Sequence, residues 1–285
     1  MPPEFWKIQD LNTYARNHSF VTGKLISVPG GQLQRDAVVT NKTTVSPFYM
    51  SQYEITQAQF VAVTNLSNTS YFTSVTNGPV ERVNWYHALV FCNNLSIKEG
   101  LTPVYSVSGR TNPANWSTVP TSFHTTWNAA ICDWTANGYR LPTEAEWQWA
   151  AMGATDSRSK GFAGSTGSNN IDDYVWYTTN SAATTKTVGT KLPNELGIYD
   201  MSGNVWEWCW DWYGDYPVGE LVRPTGALSG TNRVQRGGSW AAAPDVVDVA
   251  ERNHDDPSSS GNSIGLRIVR SNTTPSSVWS PWVPA

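Results

Sequence analysis

The sequence predicts a rigid, loop-rich fold that combines short strands with short helices. Its 285 residues include 15 Trp, 12 Tyr and 8 Phe together with 22 Gly and 17 Pro, whereas only 15% of the residues are charged. Such a composition favours a core of large rings over long helices. Two local patterns agree with it, since a short apolar run ends in the turn Pro29-Gly30 and three segments begin with a helix N-cap.

The first elements along the chain are strands. Residues 1–24 carry a short amphipathic pattern and are interpreted as an N-terminal extension. Residues 24–31 then predict a strand that ends at Pro29-Gly30, and residues 43–50 predict one further strand.

Three helices follow from their capping residues. Thr56 with Gln59 three positions later, and Thr143 with Glu146, both fit the capping-box pattern. Asn84 caps a second, longer helix that ends near Gly100 and places Cys92 on its apolar side.

The remaining segments are predicted less sharply. Residues 104–107 and 125–127 resemble strands, and residues 153–172 resemble a surface loop because Gly, Ser and Asn dominate them. The densest aromatic run is 198–212, and Trp279 and Trp282 predict that the polar tail 273–285 packs back on the domain. Residues 25–272 contain no interdomain linker and no internal repeat, so they are predicted to form a single domain.

Charge and length exclude several classes of function. The net charge of −4, with basic residues scattered singly, argues against nucleic acid as a partner. No run of about 18 apolar residues predicts a transmembrane segment. Three widely spaced cysteines, Cys92, Cys132 and Cys209, predict buried free thiols instead of disulfides or a zinc site.

Several side chains have the chemistry of a catalytic or metal site, but structural roles are favoured for them. The acids Glu144, Glu146, Glu207 and Asp211 could supply a general acid and base, yet capping and ion pairing explain them more simply. We interpret Arg140 and Arg236 as ion-pair anchors of loops. The four histidines, which show no metal-ligand spacing, are His18, His87, His124 and His254.

Asn204 and Glu207 are the candidate calcium ligands. Ca²⁺ prefers carboxylate, amide and carbonyl oxygens, which these residues and the Gly203 turn could provide together. A hydrogen-bond network between side chains and backbone is an equally good interpretation. No cofactor is expected to be required.

The chain is organised around residues 236–267. This segment opens with Arg236-Gly237-Gly238-Ser239-Trp240 and closes with Ile264-Gly265-Leu266-Arg267. Residues 241–263 between these motifs show neither a strand period nor a helix period, so we predict an irregular, displayed surface. Arg252 and Pro257 are expected to be fixed positions within it.

Several motifs resemble the formylglycine-generating-enzyme (sulfatase-modifying-factor) family, in the family's order. They lie at residues 28–31, 53–56, 83–85, 139–147, 193–208 and 236–240. The resemblance covers residues 25–270 and implies the α+β, C-type lectin fold of that family. Its oxidase members carry a catalytic cysteine pair at the positions of Ala242 and Val247, so their thiol chemistry is not expected here. Iron-dependent sulfoxide synthases of the family need a His-rich domain that is absent from this sequence.

A third branch fits the sequence better. Variable proteins of diversity-generating retroelements, the treponemal type in particular, share this fold and frame their diversified segment with Arg-Gly-Gly-Ser-Trp and Ile-Gly-Phe/Leu-Arg. Adenine-directed replacement of Asn codons in such systems excludes Lys, Glu, Gln, Met and Trp. Between residues 241 and 263 only Glu251 belongs to that excluded set. An ordinary variable loop remains the alternative.

The resemblance therefore implies a non-catalytic, monomeric binding protein that displays a variable, partly apolar and mildly acidic surface to a protein or surface ligand. We expect it outside the cell or on the cell surface, with a lipid anchor in the full-length protein. The alternative is an enzyme of this family that acts without the cysteine pair. The predicted ligand-binding residues are Ala241, Ala242, Ala243, Asp245, Val246, Asp248, Val249, Asn253, His254, Asp255, Asp256, Ser258, Ser260, Gly261, Asn262 and Ser263.

Overall fold

The computed structural model describes residues 23–156, 158–272 and 279–282. The predicted N-terminal extension lies outside the described residues except for its last two positions. Four α-helices occur in the described part of the chain: α1 Gln57–Thr64, α2 Trp85–Lys98, α3 Thr125–Asn128 and α4 Glu144–Ala151.

The described strands are short, and most have two to four residues. They are β1 Leu25–Val28, β2 Gly31–Gln34, β3 Lys42–Val45, β4 Phe48–Ser51, β5 Tyr105–Ser106, β6 Ile131–Cys132, β7 Tyr139–Arg140, β8 Trp206–Trp212, β9 Leu221–Val222, β10 Pro224–Ala227, β11 Arg233–Arg236, β12 Asn253–Asp255, β13 Ile264–Gly265, β14 Val269–Ser271 and β15 Ser280–Trp282.

The three predicted N-caps are confirmed. The Thr56 hydroxyl accepts the Gln59 N–H at 3.3 Å while the Gln59 side chain accepts the Thr56 N–H at 2.9 Å. Thr143 makes the same reciprocal pair with Glu146, and Asn84 makes it with His87. Each exchange satisfies N–H groups that the first turn of a helix leaves without intrahelical partners.

Two sequence expectations are corrected. The strand predicted over residues 43–50 is two strands, β3 and β4, which belong to different sheets. Pro47 lies between them and has no N–H for a strand ladder. The strand predicted over residues 125–127 is the short helix α3.

Two sheets position the segment of interest. In one, the strands follow the order β1-β4-β14-β7; in the other, the order is β12-β11-β8-β10-β15, with β13 pairing with β8 as well. Strand β8 is therefore the central element of the larger sheet. It contacts both motifs that frame residues 241–263, because β11 ends at Arg236 and β13 begins at Ile264.

The described part of the C-terminal tail packs back on the domain, as its tryptophans predict. Trp279 stacks on Trp134 with ring centroids 4.5 Å apart, and β15 pairs in parallel with β10. No helix in the described ranges is long and apolar enough to cross a membrane.

Candidate functional site

The closing motif of the frame is fixed by a buried ion pair. Arg267 and Glu207 are both fully buried, and their side chains approach to 2.8 Å. The Trp147 indole N–H donates a second hydrogen bond to Glu207 at 2.6 Å. Arg267 also donates to the carbonyl oxygens of Ser51 and Tyr199. The ion-pairing interpretation of Glu207 is confirmed, and its partner is Arg267.

The opening motif is fixed through Asn204. The Trp240 main-chain N–H donates to the Asn204 carbonyl at 2.7 Å, and the Asn204 side-chain amide donates to Glu54 at 2.6 Å. Burial, together with Asp200 and Glu207 nearby, raises the pKa of Glu54 well above its ordinary value. Asn204 has a left-handed backbone (φ 57°), and in this conformation its carbonyl contacts Trp240 while its side chain contacts Glu54.

The side-chain oxygens of the candidate calcium ligands already accept hydrogen bonds from protein donors. The Asn204 Oδ1 atom accepts the Lys186 N–H at 2.9 Å, and Glu207 is held by Arg267 and Trp147. A calcium ion bound by this pair would have to displace those donors. Within the described ranges, no group of three or more His, Cys, Asp and Glu residues could hold a metal ion. Calcium binding stays a prediction.

The two glycines of the opening motif are required by the backbone. Gly237 and Gly238 have φ angles of +100° and +79°, which L-residues with a side chain rarely adopt. A Cβ atom on Gly238 would lie 2.8 Å from the Val247 side chain. The turn therefore packs Val247 against Gly238 and sets the direction in which the chain enters residues 241–263.

The positions that the family resemblance assigns to catalytic cysteines lie in an apolar cluster. Ala242 and Val247 are 8% and 0% exposed and pack with Phe162, Val175 and Tyr177. All three cysteines of the chain lie elsewhere as buried free thiols, and burial raises the pKa of each. No thiol chemistry is available at the family's cysteine positions.

Two predicted ligand-binding residues are corrected by their burial. Val249 is fully buried in the core cluster around Trp147, and Ala242 is nearly so, so neither side chain is available to a ligand. The segment was expected to lack a period, but Val247 and Val249 point inward on either side of half-buried Asp248. Short β12 within it was also not predicted, because three residues are too few for a recognisable period.

The other predicted binding residues are exposed or half-buried. Several still have local partners: His254 lies against the Tyr213 ring, and Asn253 donates to the Gln235 side chain at 2.9 Å. The remaining surface is polar with small apolar groups. The predicted binding residues that are exposed or half-buried are the following fourteen: Ala241, Ala243, Asp245, Val246, Asp248, Asn253, His254, Asp255, Asp256, Ser258, Ser260, Gly261, Asn262 and Ser263.

Arg252 anchors the middle of the segment in the protein. Its guanidinium donates to both oxygens of Glu144, at 2.6 and 2.9 Å, and lies over the rings of Tyr213 and Tyr216. Burial alone would raise the pKa of Glu144, but Arg252 and Arg236 hold it below its ordinary value. The sequence predicted Arg252 as a fixed position but did not reveal its acid or its two tyrosines.

The main chain of the segment is held from outside. Apart from the pairing of β12 with β11, donors outside residues 241–263 reach seven carbonyl oxygens of these residues, so the path of the backbone depends little on their exposed side chains. In each of the following pairs, the first residue supplies the carbonyl oxygen and the second the donor. The pairs are Ala242 and Thr178 N–H, Val247 and the Ser202 hydroxyl, Val249 and the Arg236 guanidinium, Pro257 and Trp85 N–H, Gly261 and Arg82 N–H, Asn262 and the Trp240 indole N–H, and Ser263 and Trp206 N–H.

The candidate acid–base residues are buried in structural roles. Glu146 pairs with Arg140 at 2.6 Å, as the capping and anchoring interpretations predict. Asp211 accepts the Glu144 N–H at 2.9 Å, and burial and nearby Glu144 raise its pKa well above the ordinary value. His87 lies beside its cap residue Asn84, and His18 lies outside the described residues.

The family follows from a comparison of the whole chain. The model of the sulfatase-modifying factor enzyme 1-like domain matches residues 12–272. The chain belongs to this family. The match confirms the expected α+β fold of the C-type lectin type.

Solved and characterised relatives agree with this assignment. The chain is similar to Treponema denticola variable protein 1, with 35% identity and a TM-score of 0.79 over 88% of this chain and 98% of that one. It is 36% identical to the chaperone protein LppX of Paenibacillus barcinonensis, over 88% of this chain and 90% of the relative. It is 28% identical to the formylglycine-generating enzyme of Mus musculus, over 86% and 74%, respectively.

Proposed function

We propose that this chain is a non-catalytic binding protein whose ligand contacts the variable side chains between residues 241 and 263. The supporting observation is the set of seven carbonyl oxygens held by donors outside the segment. A backbone fixed in this way tolerates side-chain replacement, and it is ordered before a ligand binds, so binding costs less conformational entropy.

Similarity to a treponemal variable protein supports the origin of this variation in a diversity-generating retroelement. On this proposal, a near-copy of the coding sequence for residues 230–270 lies near the gene and differs from it at adenines. Sequencing the locus checks this. A locus without such a repeat and without a reverse transcriptase would overturn the retroelement origin.

A library of replacements tests the separation of scaffold from surface. Residues Asp245, Asp248, His254 and Ser260 are randomised together, and the melting temperature of individual variants is measured. Most variants should stay within a few degrees of the parent, since surface changes usually alter stability by less than about 0.5 kcal/mol. A matched library at the buried positions 247 and 249 should unfold in most members. Equal losses in both libraries would contradict the proposal.

An enzyme that acts without the cysteine pair is the second candidate, favoured by relatives that are formylglycine-generating enzymes. The apolar cluster at Ala242 and Val247 argues against this candidate, because the family's catalytic positions hold buried apolar side chains. Oxidase and hydrolase activities of the purified protein should be undetectable. An activity that disappears in Glu207→Gln or His254→Ala would overturn the binding-only proposal, provided that the variant remains folded.

The proposal places the protein at the cell surface, attached by a lipid anchor in its full-length form. Protease treatment of intact cells that express the full-length gene checks the location. Degradation of this protein without loss of a cytosolic marker is expected, and complete protection would contradict a surface location.

A further inference from the structure

Strand β12 forms one edge of the larger sheet, and this edge lies inside the proposed binding segment. On its inner side β12 pairs with β11 through Asn253, His254 and Asp255. In the described ranges no strand pairs with its outer side, and no main-chain hydrogen bond from outside the sheet reaches residues 253–255. The edge is accessible, because His254 is exposed and its neighbours are half-buried.

An edge of this kind can accept another strand. In an antiparallel pair, N–H and C=O groups of every second residue point toward the partner, and those of the residues between them point away. An extended peptide can bind the outward groups and add a strand to the sheet. Of the features with which proteins block such edges, β12 has no lysine, proline or bulge, but it is short and carries one acid, Asp255. Its three residues limit the pairing to a short peptide.

The charge of residues 241–263, which contain this edge, indicates which peptide fits. Five acidic residues of the segment make no ion pair with any described residue, and its one basic residue, Arg252, is already held by Glu144. A partner with lysine or arginine side chains would gain favourable electrostatics, whereas an acidic partner would be repelled. The five residues are Asp245, Asp248, Glu251, Asp255 and Asp256.

We propose that β12 binds an extended, basic segment of a partner protein as an added strand. This inference rests on the proposed binding function and names the partner's form. Main-chain bonds to β12 persist when the side chains of the segment are replaced, so they supply a constant part of the affinity. The variable side chains then select among the extended segments that can reach the edge.

Selection from a random linear dodecapeptide library on the purified full chain provides the probe. The enriched peptides should be rich in lysine and arginine and should bind less tightly to Asp255→Asn and Asp256→Asn, whose acids lie in β12 and directly after it. The matched control Glu220→Gln, an exposed acid outside the segment, should bind them like the parent. Enriched peptides that are neutral or acidic would overturn the proposed charge of the partner.

Methylation of peptide nitrogens tests strand addition directly. Removing one N–H that bonds to β12 should weaken binding about tenfold, and only alternate positions should respond. Amide exchange at residues 253–255 should slow on binding. Peptides that tolerate methylation everywhere but respond to substitutions in the segment would overturn strand addition alone. Peptides unaffected by any substitution in residues 241–263 would overturn the proposed binding function as well.

Discussion

Arg252 donates to both carboxylate oxygens of Glu144, and this pair attaches the centre of residues 241–263 to the first turn of α4. Arg236, the first residue of the opening motif, lies 3.5 Å from the same carboxylate. One buried acid thus pairs with an arginine of the opening motif and with an arginine of residues 241–263, and ties both to α4.

Replacing Arg252 by Ala should lower the free energy of unfolding by about 3 kcal/mol, because Glu144 loses its bidentate partner while remaining buried. Urea unfolding measures the change. The matched control is Asp245→Ala, an exposed residue of the same segment, which should change stability by less than about 0.5 kcal/mol. Equal effects of the two substitutions would contradict the anchoring role of Arg252.

Substitution of Gly238 by Ala tests the turn of the opening motif. The left-handed backbone costs about 1–2 kcal/mol for a residue with a Cβ atom, and the contact with Val247 adds about 1–3 kcal/mol. Gly167→Ala is the control, since Gly167 has a similar φ of +84° but open space around its Cβ position. Thermal unfolding should show the larger loss for Gly238→Ala, and the reverse order would contradict the packing described for this turn.

Asp200 should make stability depend on pH. Burial raises its pKa to about 6, so the folded protein binds the proton more tightly than the unfolded chain does. Stability from this group is therefore complete below the ordinary aspartate pKa of about 4 and falls by about 3 kcal/mol as the pH rises through 6.

Asp200→Asn removes this titration while keeping an acceptor for the Gly189 N–H, which now donates to Asp200 at 2.6 Å. Unfolding of the variant and the parent, compared from pH 4 to pH 8, should show the variant gaining in relative stability as the pH rises. The exposed Asp173→Asn serves as the control and should show no such trend. A constant difference for Asp200→Asn would show that this carboxyl titrates normally.

The three cysteines should be unreactive in the folded protein. Cys92, Cys132 and Cys209 are buried, and burial raises their pKa values, which removes the reactive thiolate. A thiol reagent should modify none of them at pH 8 in buffer and all of them in denaturant. Asp245→Cys, which adds an exposed thiol, is the positive control. Rapid labelling of a native cysteine would indicate local opening of the core.

Local patterns in the sequence predicted those elements whose interactions are local. Thr56 and Thr143 each form a capping box with a residue three positions later, and both helix starts were predicted from this spacing. Longer-range pairing was not predictable in the same way. The division of residues 43–50 between two sheets depends on partners as distant as β14, which no short window contains.

The sequence by itself determined the family, the frame at residues 236–240 and 264–267, and the loss of both family cysteines, because these are matters of residue identity in a fixed order. Only the tertiary structure decided which side chains between the two motifs face solvent. Val249 reads like its neighbours in the sequence but lies in the core, whereas Asp248 beside it is half-buried at the surface. The physical reason is that every residue has the same main-chain carbonyl group, so the sequence does not show which carbonyl oxygens bond to distant donors. Those hydrogen bonds fix the backbone of residues 241–263 and thereby decide which side chains face solvent.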